Sequence, residues 1–362
     1  MWRMGAANFF LRVLLSLGMI GLFSSTMRAT AAQTSPKLAD IIDKAAKEGE
    51  IVYQAPDPDT GLPTGEFLRD MSALTEKHFG VKIRVKIDNS LNFPASTAKV
   101  LTELKSAAPP SYDLMFQNLV SGLPLFENKA IEPTPWLELL PQLTPKDLTW
   151  SGLVPVVDTQ FVMPSYNTRL VKAQDVPKSW DDLLNPKWKG KLGVLVNHEP
   201  WTMLSQPNAW GEEKTLAYLK KLMELRPKLG RFPESHQKVL SGETPLAWAA
   251  LRERTLYYRD QRGAPMGVAE EVEPALVWVY VLVVPKGARN QNAATLMTVA
   301  LMTKEGQELH YKYRYSTSMF RPGTPAAQFA AKHRVLLPDL DFLLKKGYGD
   351  LIKKIRSILL EK

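Results

Sequence analysis

The run Ala275-Leu276-Val277-Trp278-Val279-Tyr280-Val281-Leu282-Val283-Val284, closed by Pro285, constrains this chain more than any other stretch. It carries no charge, is rich in β-branched and aromatic side chains, and ends at a residue that cannot continue a ladder. Those are the marks of a strand. Its apolarity is continuous rather than alternating, which suits a strand buried on both faces of a covered sheet.

The rest of the chain supplies the cover. Residues 51–54 read as a short strand, followed by a turn-rich loop from Pro56 to Gly61 and a helix with Phe67, Met71 and Leu74 on one face. Residues 81–87 alternate like a half-buried strand, Asp88-Asn89-Ser90 breaks it, and Pro94 opens a helix facing inward through Ala98, Leu101 and Leu104. A third strand follows at 112–116. The same grammar returns with strands at 193–196 and 246–248 and helices at 216–223 and 291–302. This alternation argues for an α/β protein with mostly parallel sheets and helices on their faces.

The first residues have a different character. Arg3 and Arg12 lead into an apolar run from Val13 to Phe23, and small residues then reach Ala29-Thr30-Ala31. A cationic start, a short apolar centre and an A-x-A site form a secretory signal. The apolar centre is shorter than the roughly 20 residues that a membrane-spanning helix needs. Residues 1–31 are therefore expected to be removed, leaving a periplasmic protein. The chain has no cysteine, so no lipid attachment is expected at the cleavage site and the fold must be held by its own core. The net charge of +9 is interspersed with acids, without the basic block that nucleic acid would require, so no nucleic-acid partner is expected.

One long segment is recognisable: Tyr166-Asn167-Thr168, then Val176-Pro177-Lys178-Ser179-Trp180-Asp181-Asp182-Leu183-Leu184-Asn185-Pro186-Lys187-Trp188-Lys189-Gly190-Lys191. It resembles the stretch that precedes the second lobe's first strand in periplasmic solute-binding proteins of the ferric-ion-binding type. Gly263-Ala264-Pro265, Asn292-Ala293-Ala294 and Glu305-Gly306-Gln307 continue the likeness more loosely. The resemblance implies a type II periplasmic-binding-protein fold, two α/β lobes with hinge strands and a central ligand cleft. It also implies the receptor of an ABC transporter, with permease subunits of the inner membrane as partners. The expected layout is 36–157 for the first part of lobe 1 and 158–274 for lobe 2. Residues 275–324 then form the return hinge and the rest of lobe 1, and 325–362 a C-terminal helical extension. Crossing strands are expected at about 155–163 and 275–284. A monomer is expected. The tryptophans of the recognisable segment read as lobe packing.

Ligands of parallel sheets sit beyond the carboxyl ends of the strands, which points to the loops 54–57, 89–97, 117–118, 197–202 and 248–252. The candidate ligand-binding residues there are Gln54, Ser96, Thr97, Gln117, Asn118, Trp201, Thr202, Trp248 and Arg252, with Tyr166 as a further wall. Arg252, at a strand end running into a helix, is expected to grip a carboxylate or phosphate with its planar fork. Arg254 and Arg259 read as helix-surface charges. The five histidines read as surface residues, His198 being the one placed just after a strand end. No motif of a hydrolase, zinc protease, phosphate-loop ATPase or dinucleotide enzyme is present, so no catalytic residue, metal ligand or cofactor is assigned.

The ferric binders of the resembled family hold iron through adjacent tyrosines soon after a G-E segment. Here Gly242-Glu243 is followed at those positions by residues near Leu251-Arg252-Glu253, and Tyr257-Tyr258 comes about five residues late. A small organic anion is therefore the expected ligand, ferric iron the alternative, and an enzyme built on the same bilobal fold a third reading.

Overall fold

The computed structural model describes residues 35–55 and 64–360; the expected leader and Asp57 lie outside them. Its strands, in chain order, are β1 (Glu50–Gln54), β2 (Arg84–Asp88), β3 (Leu114–Asn118), β4 (Leu148–Thr149), β5 (Val154–Asn167) and β6 (Leu192–Leu195). They continue with β7 (Lys228–Gly230), β8 (Leu246–Leu251), β9 (Met266–Val268), β10 (Ala275–Val283) and β11 (Val335–Leu336). The main order is β2-β1-β3-β10-β5-β8-β6-β7, with β11 beside β10, and β4 and β9 beside β5.

Two parallel wings stand at the ends of this sheet. β1 pairs in parallel with β2 and β3, and β6 in parallel with β7 and β8. Between the wings, β10 and β5 run antiparallel to each other and to their outer neighbours. Each wing is the sheet of one lobe, and β5 and β10 are the crossings. The apolar run at 275–283 thus sits mid-sheet, buried along almost its whole length, as a strand without polar alternation must.

The first lobe is closed by helices at Pro36–Glu48 and Gln291–Leu301. The former begins at Ser35, whose hydroxyl accepts the Leu38 N–H at 3.2 Å, with Pro36 in the first turn. Its last residue, Glu48, reaches across to the other helix and accepts the Ala293 N–H at 2.6 Å. A carboxylate there satisfies a free N–H and complements the helix dipole. Ala45, Ile51, Met71, Leu114 and Leu296 meet beneath.

The second lobe is built around indoles. Trp201 stacks on Trp248 at 3.8 Å between ring centres, and Trp180 lies 5.0 Å from Trp248. Trp180 Nε1 donates to the Pro274 carbonyl at 3.2 Å and Trp188 Nε1 to that of Asp182 at 3.1 Å. The recognisable segment 176–193 therefore packs the lobe. Residues beyond 325 belong to this body too: β11 pairs with β10, and the helix Tyr348–Leu360 buries Leu351, Ile355 and Leu359 in the same core. Among the described residues no helix is long and apolar enough to cross a membrane.

Candidate functional site

A cavity of about 560 Å³ lies between the lobes. Its walls come from the carboxyl ends of the parallel strands and from the crossings. Phe116 on β3 and Tyr280 on β10 stack with ring centres 5.0 Å apart, and Phe93, which opens the helix Phe93–Lys105 after β2, leans on both. Trp278 is two residues from Tyr280 on β10, so both side chains leave the same face. Phe232 meets Trp278 at 4.2 Å, edge to face.

Charge enters this aromatic chamber asymmetrically. Among the described residues that line it, four are arginines, Arg231, Arg254, Arg314 and Arg356, and one, Glu199, is a carboxylate. Arg314 ends the helix Lys304–Arg314 and lies 4.5 Å over the Phe116 ring. Its Nε donates to Asp158 Oδ2 at 2.9 Å, and Ser316 Oγ donates to the same oxygen at 2.7 Å. Asp158 is fully buried on β5. Burial works against the Arg314 charge, but the Asp158 carboxylate outweighs it and holds the guanidinium pKa above its ordinary value. Only Nε is spent on that bond, so the terminal nitrogens are aimed by a rigid partner and left for a ligand.

Several buried polar atoms around the cavity have no hydrogen-bond partner among the described residues. They are Gln160 Oε1, Asn197 Oδ1, His198 Nδ1, Glu199 Oε2 and both ring nitrogens of His310. His310 is completely buried, and burial pushes its pKa down to about 4, so the ring is neutral. His198 is also pushed down, chiefly by burial and further by Arg356, with Glu199 opposing. A buried polar atom left unpaired costs roughly 1–3 kcal/mol, so these atoms are candidates to bond a ligand.

The expected residues fall in different places. Asn118 lines the cavity, its Oδ1 accepting the Val120 N–H at 3.0 Å to cap the next helix. Gln54, Ser96 and Gln117 lie fully buried behind the wall: Gln117 Nε2 donates to Gln54 Oε1 at 3.1 Å and to Ser96 Oγ at 3.0 Å. Gln54 Nε2 donates to the Leu91 carbonyl at 3.2 Å. This network, with buried Thr97 beside it, anchors the loop that presents Phe93. Trp201, Thr202 and Trp248 point into the second lobe's core. Tyr166 packs over Gly267, where an added Cβ would sit 2.6 Å from the ring.

Arg252 is placed away from the cavity. Its guanidinium bonds Glu270 at 2.7 Å and stacks 4.1 Å over Phe329, beside a separate pocket of about 300 Å³. The side chain facing the cavity from that helix is Arg254, two residues on. Two residues turn a helix by about 200°, so these two arginines cannot share a face. Arg254 is 8% exposed, and His236 and His310 are buried, which corrects their reading as surface residues. Tyr257 and Tyr258 pack edge to face on the outer part of the same helix, away from the cavity.

Comparison with known proteins identifies this architecture. The iron-bound structure of HitA from Pseudomonas aeruginosa superimposes with a TM-score of 0.68 at 16% identity, over 85% of this chain and 98% of that one. The substrate-binding protein of an ABC transporter from Agrobacterium tumefaciens gives 0.71 at 13% identity, over 86% and 94%. At such identities the likeness is one of fold. An uncharacterized protein of Haemophilus influenzae is 29% identical over 147 residues, 38% of this chain and 41% of the relative's length. Residues 71–333 match the bacterial extracellular solute-binding protein model, and the chain belongs to that family of binding proteins rather than to one of enzymes.

Proposed function

We propose that this protein is the periplasmic receptor of an ABC importer, and that it captures a small organic anion, a carboxylate, phosphonate or phosphate ester, as its lobes close. The observation that carries the reading is four arginines against one carboxylate in the described lining of an aromatic cavity. A volume of about 560 Å³ suits a small molecule. Aromatic walls favour a ligand with a flat apolar body, and the guanidinium forks suit planar or tetrahedral oxyanions. The permease partners and the site outside the inner membrane follow from the same reading.

Ferric iron is the competing ligand, because HitA carries it and because Tyr53, Tyr280 and Tyr313 reach the lining. Their chemistry argues against it. Burial pushes the Tyr53 and Tyr280 phenols far above their ordinary pKa, and Tyr313 Oη is occupied with Asp70 at 2.6 Å. Four guanidinium charges also oppose a bare trication.

Calorimetry with benzoate, neutral benzamide and ferric citrate tests the proposal. Binding of benzoate at least about tenfold tighter than benzamide, a difference of about 1.4 kcal/mol, is expected. Equal affinity for the two, or a phenolate-to-iron absorption band with ferric citrate, would sink it.

A further inference from the structure

The family match ends at residue 333, yet the chain's last described helix, Tyr348–Leu360, reaches the cavity through Arg356. We infer that this helix is a working part of the binding site and that Arg356 is a specificity-determining residue, selecting ligands with a second negative charge. The inference rests on the anion reading above.

The helix is held in place by side chains from the segment whose start also frames the site. Tyr348 Oη donates to Thr202 Oγ1 at 3.2 Å. Gln206 Nε2 donates to the Leu337 carbonyl at 3.1 Å, while its Oε1 accepts the Asp339 N–H. Thr202 lies in the short helix Glu199–Leu204 and Gln206 just after it. The start of that helix, with Asn197 and His198 before it, forms the cavity wall. The C-terminal segment thus braces the wall and adds a charge to it.

That charge is unlike the other two on the helix. Lys353 pairs with Asp350 at 3.0 Å, and Lys354 with Glu212 at 2.8 Å. Arg356 makes no ion pair or hydrogen bond among the described residues, and no acid stands three or four places from it on its own helix. The same wall carries the unpartnered atoms Asn197 Oδ1, His198 Nδ1 and Glu199 Oε2. The positive charge of Arg356 reaches His198 and, after burial, pushes that ring's pKa down. Arg356 and these unpartnered atoms, the Glu199 carboxylate among them, form the second-lobe end of the site. Arg314 forms the complementary end on the first lobe. A ligand with one anionic group could satisfy only one of these ends; two anionic groups on a short rigid frame satisfy both.

The test titrates the protein, cleaved of its leader, with benzoate, phthalate and phenyl phosphate at pH 8. Wild type should bind the two dianions more tightly than benzoate. Arg356→Gln should weaken phthalate and phenyl phosphate about tenfold or more, about 1.4 kcal/mol, and weaken benzoate several-fold less than it weakens them. Arg356→Lys should recover part of the loss, because charge without the fork is only a partial substitute. An unchanged melting temperature is expected for both variants, since the side chain is exposed. If all three probes weaken alike, or none does, the role of Arg356 is refuted while the anion receptor stands. If wild type binds none of the three, the receptor reading fails and this inference with it.

Discussion

Arg314→Ala tests whether the aiming of the inner guanidinium is a structural device. In the native protein Asp158 has no exposure and shares one oxygen between Arg314 Nε, at 2.9 Å, and Ser316 Oγ, at 2.7 Å. Removing the guanidinium leaves a carboxylate in the interior with a single hydroxyl donor. Breaking one side of such a pair costs about 3–5 kcal/mol, most of it the penalty of the stranded charge. Asp158→Asn in the same background removes that charge. The double variant should therefore be at least about 2 kcal/mol more stable than the sum of the two single losses, well beyond the roughly 0.5 kcal/mol expected of independent sites. Urea unfolding of the four proteins at pH 7, with slopes checked for constancy, reads the cycle. A single Arg314→Ala loss under about 1 kcal/mol, or strict additivity, would show that Asp158 does not depend on Arg314.

Glu253 offers a pH test in the hinge. It is buried, accepts the Phe161 N–H of β5 at 2.9 Å, and is pushed up to about 7 by burial, with Arg252 opposing. The folded state therefore holds the proton more tightly than the unfolded chain does. Stability should fall as pH rises from about 4.5 to 7, by at most roughly 3 kcal/mol from this group. Urea midpoints at pH 5 and pH 8 should differ less in Glu253→Gln than in wild type, and equal differences would refute the assignment. Gly306 lies where an added Cβ would stand 2.1 Å from the Leu301 carbonyl oxygen. Gly306→Ala should cost about 1–3 kcal/mol or more, and an unchanged melting temperature would contradict that close approach.

The fold was legible because it rests on patterns that local chemistry dictates. Continuous apolarity marked β10, proline marked a helix start at Pro94, and β-α alternation marked two parallel wings. The loops around the cavity were legible too, since strand carboxyl ends open toward it; loops 89–97 and 197–202 both contribute to the lining. The side chains within those loops were not. Polarity favoured Gln54, Gln117 and Ser96, but a buried amide can also bond its neighbours behind the wall, as Gln117 Nε2 bonds Gln54 and Ser96. Aromatic residues such as Phe93, Phe116 and Trp278 read as core, although a flat-walled cavity needs the same residue types. Arg252 and Arg254 were separable only by helix phase, which depends on where β8 ends. Arg314 and Arg356 sit in helices whose arrival at the cleft depends on tertiary packing far from their own sequence neighbours. The alternating spacing of Trp278 and Tyr280 was the one local signal available, and the surrounding valines masked it.

The depth of each arginine bears on how such a receptor would close. Arg314 comes from the first lobe, while Arg231, Arg254 and Arg356 come from the second. With the cleft empty the guanidiniums of the two lobes are like charges, that of Arg314 partly offset by Asp158, and in such a receptor bringing the lobes together would raise their repulsion as water leaves. An anion between them reverses the sign of the interaction, and it does so more strongly in the closed state, where the effective dielectric is lower. That difference in binding free energy between open and closed forms is what a ligand must supply to shift the equilibrium. Exposed Arg231 and Arg356 would act on an approaching anion over a screening length of about 8 Å at physiological salt. Arg314, pinned by Asp158 against Phe116, cannot swing out to meet the ligand, so the ligand must travel to it. A neutral solute of the same shape would fill the aromatic chamber without cancelling the repulsion, and would leave the lobes apart.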